Sequence, residues 1–477
     1  MGGNRHPLTG RKGAKKLLPE PYDQNRECRA VYKTEQHHPE IFFKHGKTSF
    51  ALPSPIIKRE EGRFCRKKPE LLIPASSLDV LKTAVTYGAD AVYIGGEAFG
   101  LRAKAKNFSK EDMAEGIAFA HAHDVKVYVT ANILAHNDDL DGVRAYFREL
   151  KTIGPDALII SDPGVFMIAK SELPEMELHI STQANNCNYG TFNFWHQLGA
   201  KRVVSARELS LYELKQIRAH IPDDLEIETF VHGAMCISYS GRCLLSNYMV
   251  GRDANQGACT HPCRWKYSIV EETRPGEYYP VYENERGTYI FNSKDLCMIE
   301  HIPDLAESGI DSLKVEGRMK TALYVATVAR TYRKALDDYF EDPKKYEANM
   351  EWYKEEIGKC TYREFTTGFF YGKPSSDAQI YNSNTYVKNY TYLGTVESID
   401  ENGRSVFEQK NKFTVGETIE RMKPDGTNVS LKVIGIFDED GNAQESAPHP
   451  KQMLHVVFDG ETEPQDILRR QEPDEKQ

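Results

Sequence analysis

Four cysteines, Cys236, Cys243, Cys259 and Cys263, fall within 28 residues, and Cys297 follows after 33 more. The intervals inside the group are six, fifteen and three residues. The other four of the nine cysteines, Cys28, Cys65, Cys187 and Cys360, stand alone. The opening residues hold no apolar segment of the kind an export leader needs, so disulfides explain the group poorly. Clustered thiols in a reducing compartment read instead as ligands of a metal or an iron–sulfur group. The spacing lacks the paired C-x2-C knuckles of structural zinc and any simple ferredoxin interval. Gly233, Gly241, Gly251 and Gly257 lie among the cysteines, as expected where backbone folds closely round an inorganic core. From spacing alone three readings stand: a 4Fe–4S cluster, a zinc ion, and structural cysteines that bind nothing. The first fits best, with five candidates for four positions.

Other chemistry is sparser. There is no His-Glu-x-x-His pair and no Gly-x-Ser-x-Gly elbow. Arg207, Glu208, His232, Glu316 and Arg318 follow apolar runs and are candidate acid, base or anion-holding groups. His179 lies inside a strand, where packing explains it equally well. Arg242, Arg252, Arg264, Lys266, Arg318 and Lys320 make the neighbourhood of the cysteines basic. Trp265 and Tyr267 alternate with Arg264 and Lys266, a pattern suited to stacking on a base or other flat substrate, or to packing on the body.

The elements that must position these groups are legible from residue 70 onward. Short apolar runs such as ELLIPA (70–75), ADAVYIGG (89–96), VKVYVTANI (125–133) and EIETFVHG (226–233) alternate with amphipathic helices of ten to fifteen residues. Eight such units, the last strand being DSLKVEGRM (311–319), predict a (β/α)8 TIM-like barrel with a cysteine-rich insertion after the seventh strand. The candidate residues then share the C-terminal rim, where barrels of this kind place their chemistry. Beyond residue 345 the pattern alternates with a period of two between Asn-Gly and Asp-Gly turns, which predicts a small C-terminal antiparallel β-barrel. The expected organisation is a basic, disordered extension over 1–68, the barrel over 69–343, a helical linker over 344–364, the β-barrel over 365–465 and a polar tail over 466–477.

Composition bounds the rest. The 477 residues carry a net charge of -9, with 40% hydrophobic residues. Residues 1–69 hold 16 Lys and Arg against 7 Asp and Glu, a balance of +9, so the remainder carries -18. No apolar run is long enough to span a bilayer, and the expected location is cytoplasmic. An acidic body argues against coating nucleic acid at random, though not against gripping it through a local basic patch.

The segment ETFVHGAMCISYSGRCLLSNYMVGRDANQGACTHPCRWKY, with NSKDLCMI, DSLKVEGRMK and FTTGFFYGKP, resembles the signature blocks of peptidase family U32, the collagenase-like protease family. The likeness covers about residues 69–460 and is closest to the bacterial tRNA hydroxylation branch; the first 68 residues are additional. It implies a 4Fe–4S cluster on Cys236, Cys243 and Cys259, with Cys297 as fourth ligand and Cys263 as its rival. It further implies oxygen-independent hydroxylation of the wobble uridine to 5-hydroxyuridine, with prephenate as hydroxyl donor held by the basic rim. The tRNA anticodon region is then a partner, with a protein partner or related paralogue beside it. The alternatives carried by the same family are peptidase activity and hydroxylation of ribosomal RNA or another substrate.

Overall fold

The computed structural model describes residues 67–96, 98–100, 107–236, 238–265, 268–270, 278–280, 292–374, 378–380 and 386–473. All belong to the compact unit Lys58–Gln477. The extension through residue 66, with Cys28 and Cys65, and the pair Lys266 and Tyr267 lie outside the described residues.

Eight parallel strands close into a ring. They are β1 (Glu70–Pro74), β2 (Ala91–Gly95), β3 (Lys126–Ala131), β4 (Ala157–Ile160), β5 (Glu177–Ile180), β6 (Arg202–Val204), β7 (Glu226–Ala234) and β8 (Ser312–Val315). Each pairs with the next, and β8 pairs with both β7 and β1, so the predicted barrel is present. The strands read as near-continuous apolar runs because helices cover the outer face and side chains fill the inner one. Helices α1 (Leu78–Thr86), α2 (Lys110–His121), α3 (Leu140–Ile153), α4 (Pro163–Glu172), α5 (Tyr189–Gln197) and α6 (Leu211–Ala219) follow the first six strands. Several polar residues at strand ends start these helices. Asp162 accepts from the Val165 N–H at 2.9 Å, and Ser210 and Glu213 form a reciprocal capping box.

After β7 the chain leaves the barrel for the cysteine-rich insertion, which holds the six-residue helix α7 (Leu245–Val250). It returns through the short strand Asp295–Cys297, antiparallel to β7, and helix α8 (Ile302–Ala306) before β8. The long helix α9 (Ala322–Glu341) closes the cycle. Two helices, α10 (Pro343–Ala348) and α11 (Met350–Ile357), lead out of it.

Three expectations for the C-terminal part need correction. Phe365–Thr366 does not open the C-terminal domain; it extends the barrel sheet by pairing with Asp295–Cys297. And the C-terminal sheet is open, not a closed barrel. Its order is β9 (Tyr390–Thr395), β15 (Ile467–Gln471), β12 (Thr418–Met422), β13 (Asn428–Phe437), β14 (Met453–Phe458), β11 (Ser405–Glu408), β10 (Ser398–Ile399), with Ala443–Gln444 paired to β13. Among the described residues no ladder joins the edges β9 and β10. They are successive runs of one bent segment: the Val396 N–H bonds to Asp466 on one side, and the Glu397 N–H to Val406 on the other. An alternating pattern reveals strands but not whether the last pairs with the first.

The expected polar tail supplies strand β15, between β9 and β12. Its Arg469 is fully buried and shares Glu356 of α11 with Arg330 of α9. Burial pushes the Glu356 carboxyl up, but the two guanidinium groups outweigh this and hold it at about 2. A charged residue in such a place needs its partners within reach, and these three residues join barrel to sheet.

Candidate functional site

The inside of the barrel is layered. At its N-terminal end Arg202 bonds Glu70 at 2.5 Å, Glu226 at 2.6 Å and Glu228 at 3.2 Å. Lys314 bonds Glu228 at 2.6 Å. Tyr128 and Ser312 donate hydroxyls to Glu70 at 2.7 and 2.9 Å. Burial works against the charge on Glu70, yet Arg202 and the hydroxyl donors hold its carboxyl at about 2. His179 is fully buried here, edge-on to the Tyr128 ring, and burial pulls its imidazole below the usual range. This floor was not anticipated. Its signal lay in the strands: a charged residue inside a buried run, such as Arg202, Glu228 or Lys314, must point into the barrel and meet an opposite charge.

Above the floor a cavity of about 180 Å³ opens at the C-terminal mouth. Its wall is built from strand ends and from the insertion, which lies across the mouth. Gly241 rests against Gln183, the Asn185 amide donates to the Ser240 carbonyl at 2.6 Å, and the Leu134 N–H donates to the Asn255 carbonyl at 3.2 Å. The wall carries Cys236, Cys243, Cys259 and Cys263, together with Arg207, Glu316 and Arg318.

Arg207 and Glu316 form an ion pair at 2.8 Å. A second nitrogen of Arg207 lies 3.7 Å from the Cys236 sulfur and 3.2 Å from the Ala234 carbonyl, and the guanidinium stacks 4.0 Å above the Phe230 ring. Burial lowers the pKa of Arg207, but Cys236 and Glu316 raise it by more, so it stays charged. Arg318 donates to the Thr130 hydroxyl at 2.5 Å. It fits because Gly95 has no side chain: a Cβ there would sit 2.6 Å from a guanidinium nitrogen.

Three expected site residues lie elsewhere. The β7–β8 ladder carries a bulge, pairing Lys314 with Phe230 but Val315 with His232. The extra residue turns His232 to the outer face of the barrel, among Tyr324, Tyr332 and Phe365. It is buried, which lowers its pKa to about 3, and it does not line the cavity. Gly233 makes the bend possible with φ +103, and a Cβ would sit 2.4 Å from the Glu316 carbonyl oxygen. Cys297 pairs with His232 across the ladder, so it too faces away from the mouth. Its thiol is buried 4.0 Å from the Tyr332 hydroxyl and is pushed up to about 12. Glu208 is half-buried outside the lining, and burial raises its carboxyl. A single sequence does not reveal a bulge, so neither His232 nor Cys297 could be placed from it.

The donor set at the mouth suits an iron–sulfur group. Four soft thiols, none in a disulfide, surround one cavity. Arg207 and the His261 N–H, 3.4 Å from the Cys259 sulfur, supply donors to the sulfurs. Among the described residues no three His, Cys, Asp or Glu side chains converge as they would on a single metal ion.

Comparison with known proteins adds the family. The pattern described as Peptidase family U32 matches residues 76–380, and that of the Peptidase family U32 C-terminal domain matches residues 388–469. The tRNA hydroxylation protein P1 of Bacillus subtilis (strain 168) is 42% identical over 409 residues, spanning 86% of this chain and 96% of that protein. The tRNA hydroxylation protein P of Escherichia coli (strain K12) is 39% identical over 424 residues, spanning 80% and 92%. An uncharacterised protease of Methanocaldococcus jannaschii is 44% identical over 305 residues, spanning 63% and 73%. No described helix is long and apolar enough to cross a membrane.

Proposed function

The chain belongs to peptidase family U32, and we propose that it is an RNA-modifying enzyme that hydroxylates a tRNA uridine in the anticodon region, using an iron–sulfur group and a small dicarboxylate such as prephenate as hydroxyl donor. The observation that carries this reading is the juxtaposition at the barrel mouth of four thiols outside any disulfide and two buried guanidinium groups. The relatives named for tRNA hydroxylation support the substrate.

The ligands in this reading are Cys236, Cys243, Cys259 and Cys263, the last in place of Cys297. When bound, such a group supplies Lewis acidity or electron transfer. The protein's own residues bind and orient. Arg207 and Arg318 offer planar donors for carboxylates, and arginine stays charged where burial neutralises a lysine. Glu316 and Thr130 fix the two guanidinium planes. The filled floor closes the barrel below, so a donor enters from the side on which the insertion meets RNA. A peptidase reading loses its expected acid or base: His232 is buried beside Tyr332 and away from the cavity, and His261 is the histidine that lines it.

The test is anaerobic purification with iron and sulfide quantification, then mass spectrometry of tRNA nucleosides from a strain lacking the gene and its paralogues. The reading expects bound iron and sulfide, and loss of 5-hydroxyuridine. Unchanged nucleosides in that strain overturn it.

A further inference from the structure

Helix α7 is inverted relative to an ordinary surface helix. It buries Ser246, 1% exposed, and shows Tyr248, Met249 and Val250 to solvent, with Tyr248 84% exposed. The inversion is held by hydrogen bonds: the Ser246 hydroxyl lies 2.7 Å from that of Thr260 and accepts from the Thr260 N–H at 2.8 Å. That ties α7 to the loop carrying Cys259 and Cys263. Of sixteen exposed large hydrophobic side chains among the described residues, six fall between Tyr239 and Trp265. A cluster of this kind on a protein surface marks a contact site.

Charge selects the occupant. Between Cys236 and Trp265 the sequence holds Arg242, Arg252 and Arg264 against the single acid Asp253, within a body whose balance is strongly negative. Arg242 and Arg252 are exposed, and neither makes an ion pair with a described residue. Arg242 is aimed by a 2.5 Å bond to Asn185. Exposed rings interleaved with cations suit a chain that presents flat bases and phosphates together. An apolar protein partner has no use for guanidinium groups that no acid among the described residues neutralises.

We infer that the insertion is a stacking platform for a single-stranded RNA loop, with the rings of Tyr248 and Trp265 receiving unpaired bases and Arg242 and Arg252 holding the flanking phosphates. This rests on the RNA reading above and deepens it: the same segment that carries the thiols seats the substrate loop. It makes the platform selective for unpaired nucleotides, since duplex bases offer no free face.

The experiment is fluorescence anisotropy of the full-length protein, purified anaerobically, with a labelled unmodified tRNA transcript and with a fully paired RNA duplex. Tyr248→Ala and Trp265→Ala are each expected to weaken tRNA binding about five- to hundred-fold. Tyr248→Phe keeps the ring and is expected to bind as wild type. Arg252→Gln is expected to flatten the salt dependence by about 0.7 in log–log slope, since one phosphate is no longer neutralised. A melting temperature at the wild-type value confirms that each variant is folded. If the wild-type protein binds tRNA and Tyr248→Ala with Trp265→Ala binds it equally, the platform is overturned and the patch belongs to a protein partner. Equal affinity for the duplex overturns it as well. If the wild-type protein binds no tRNA, the platform fails together with the RNA reading.

Discussion

The floor and the mouth of the barrel are both rings of charge inside the same eight strands, yet they are finished differently. At the floor Arg202 and Lys314 are surrounded by Glu70, Glu226 and Glu228, and the hydroxyls of Tyr128 and Ser312 fill the remaining acceptor directions. At the mouth Arg207 pairs with Glu316 beside the Cys236 thiol, and Arg318 donates to the Thr130 hydroxyl, all three charged groups on the wall of an open cavity. In the first arrangement the charges meet one another and fill the barrel. The second lines a cavity. The same residue types therefore read as architecture in one layer and as a binding site in the next, and the difference is what each leaves facing the cavity.

That contrast breaks down if the floor tolerates change as the mouth does. Glu228→Ala is expected to cost about 3–5 kcal/mol of stability, because Arg202 and Lys314 would be deprived of a shared buried partner; chemical denaturation measures it. Acid tests the same layer. The Glu70 carboxyl sits at about 2 in the folded protein against an ordinary value of 4.5. Its folded value is depressed, so its contribution is full above pH 4.5 and is lost as pH falls towards 2. That amounts to about 3 kcal/mol, and Glu70→Gln should remove that part of the acid dependence in a pH series of melts.

The mouth should respond in function instead. Arg318→Met is expected to lower hydroxylation about 100-fold, with a stability change below about 1 kcal/mol, read from nucleoside analysis beside a melt. Gly95→Ala is a gentler version. The added methyl displaces the Arg318 guanidinium without removing it, so about a tenfold weaker grip on a dicarboxylate is expected at roughly unchanged melting temperature. If either variant instead melts like Glu228→Ala, the mouth is part of the scaffold and the contrast is lost.

Much of this was legible in the sequence. The alternation of buried runs and helices, the insertion after β7, and the thiols with their basic neighbours follow from residue types and spacing. What escaped depends on geometry between distant strands. The bulge opposite Lys314 and Val315 turns His232 and Cys297 outward, and no local pattern announces it. The Arg202 network joins residues far apart in the chain, though charges inside apolar strands were a visible cue. The C-terminal strands were recognisable by their period, but an open sheet and a closed barrel share that period, and DILRRQ reads as a polar tail until Glu356 and Glu420 are placed beside Arg469.

In the proposed reading the thiols at the mouth, Cys263 included, form one ligand set, and Cys297 packs beside Tyr332 away from the cavity. Iron and sulfide content of anaerobically purified Cys263→Ser and Cys297→Ser proteins tests it directly. Cys263→Ser should lose most of its iron and sulfide while its fold persists, and Cys297→Ser should retain wild-type content. A folded Cys297→Ser protein without iron, beside a Cys263→Ser protein that keeps it, would contradict the assignment.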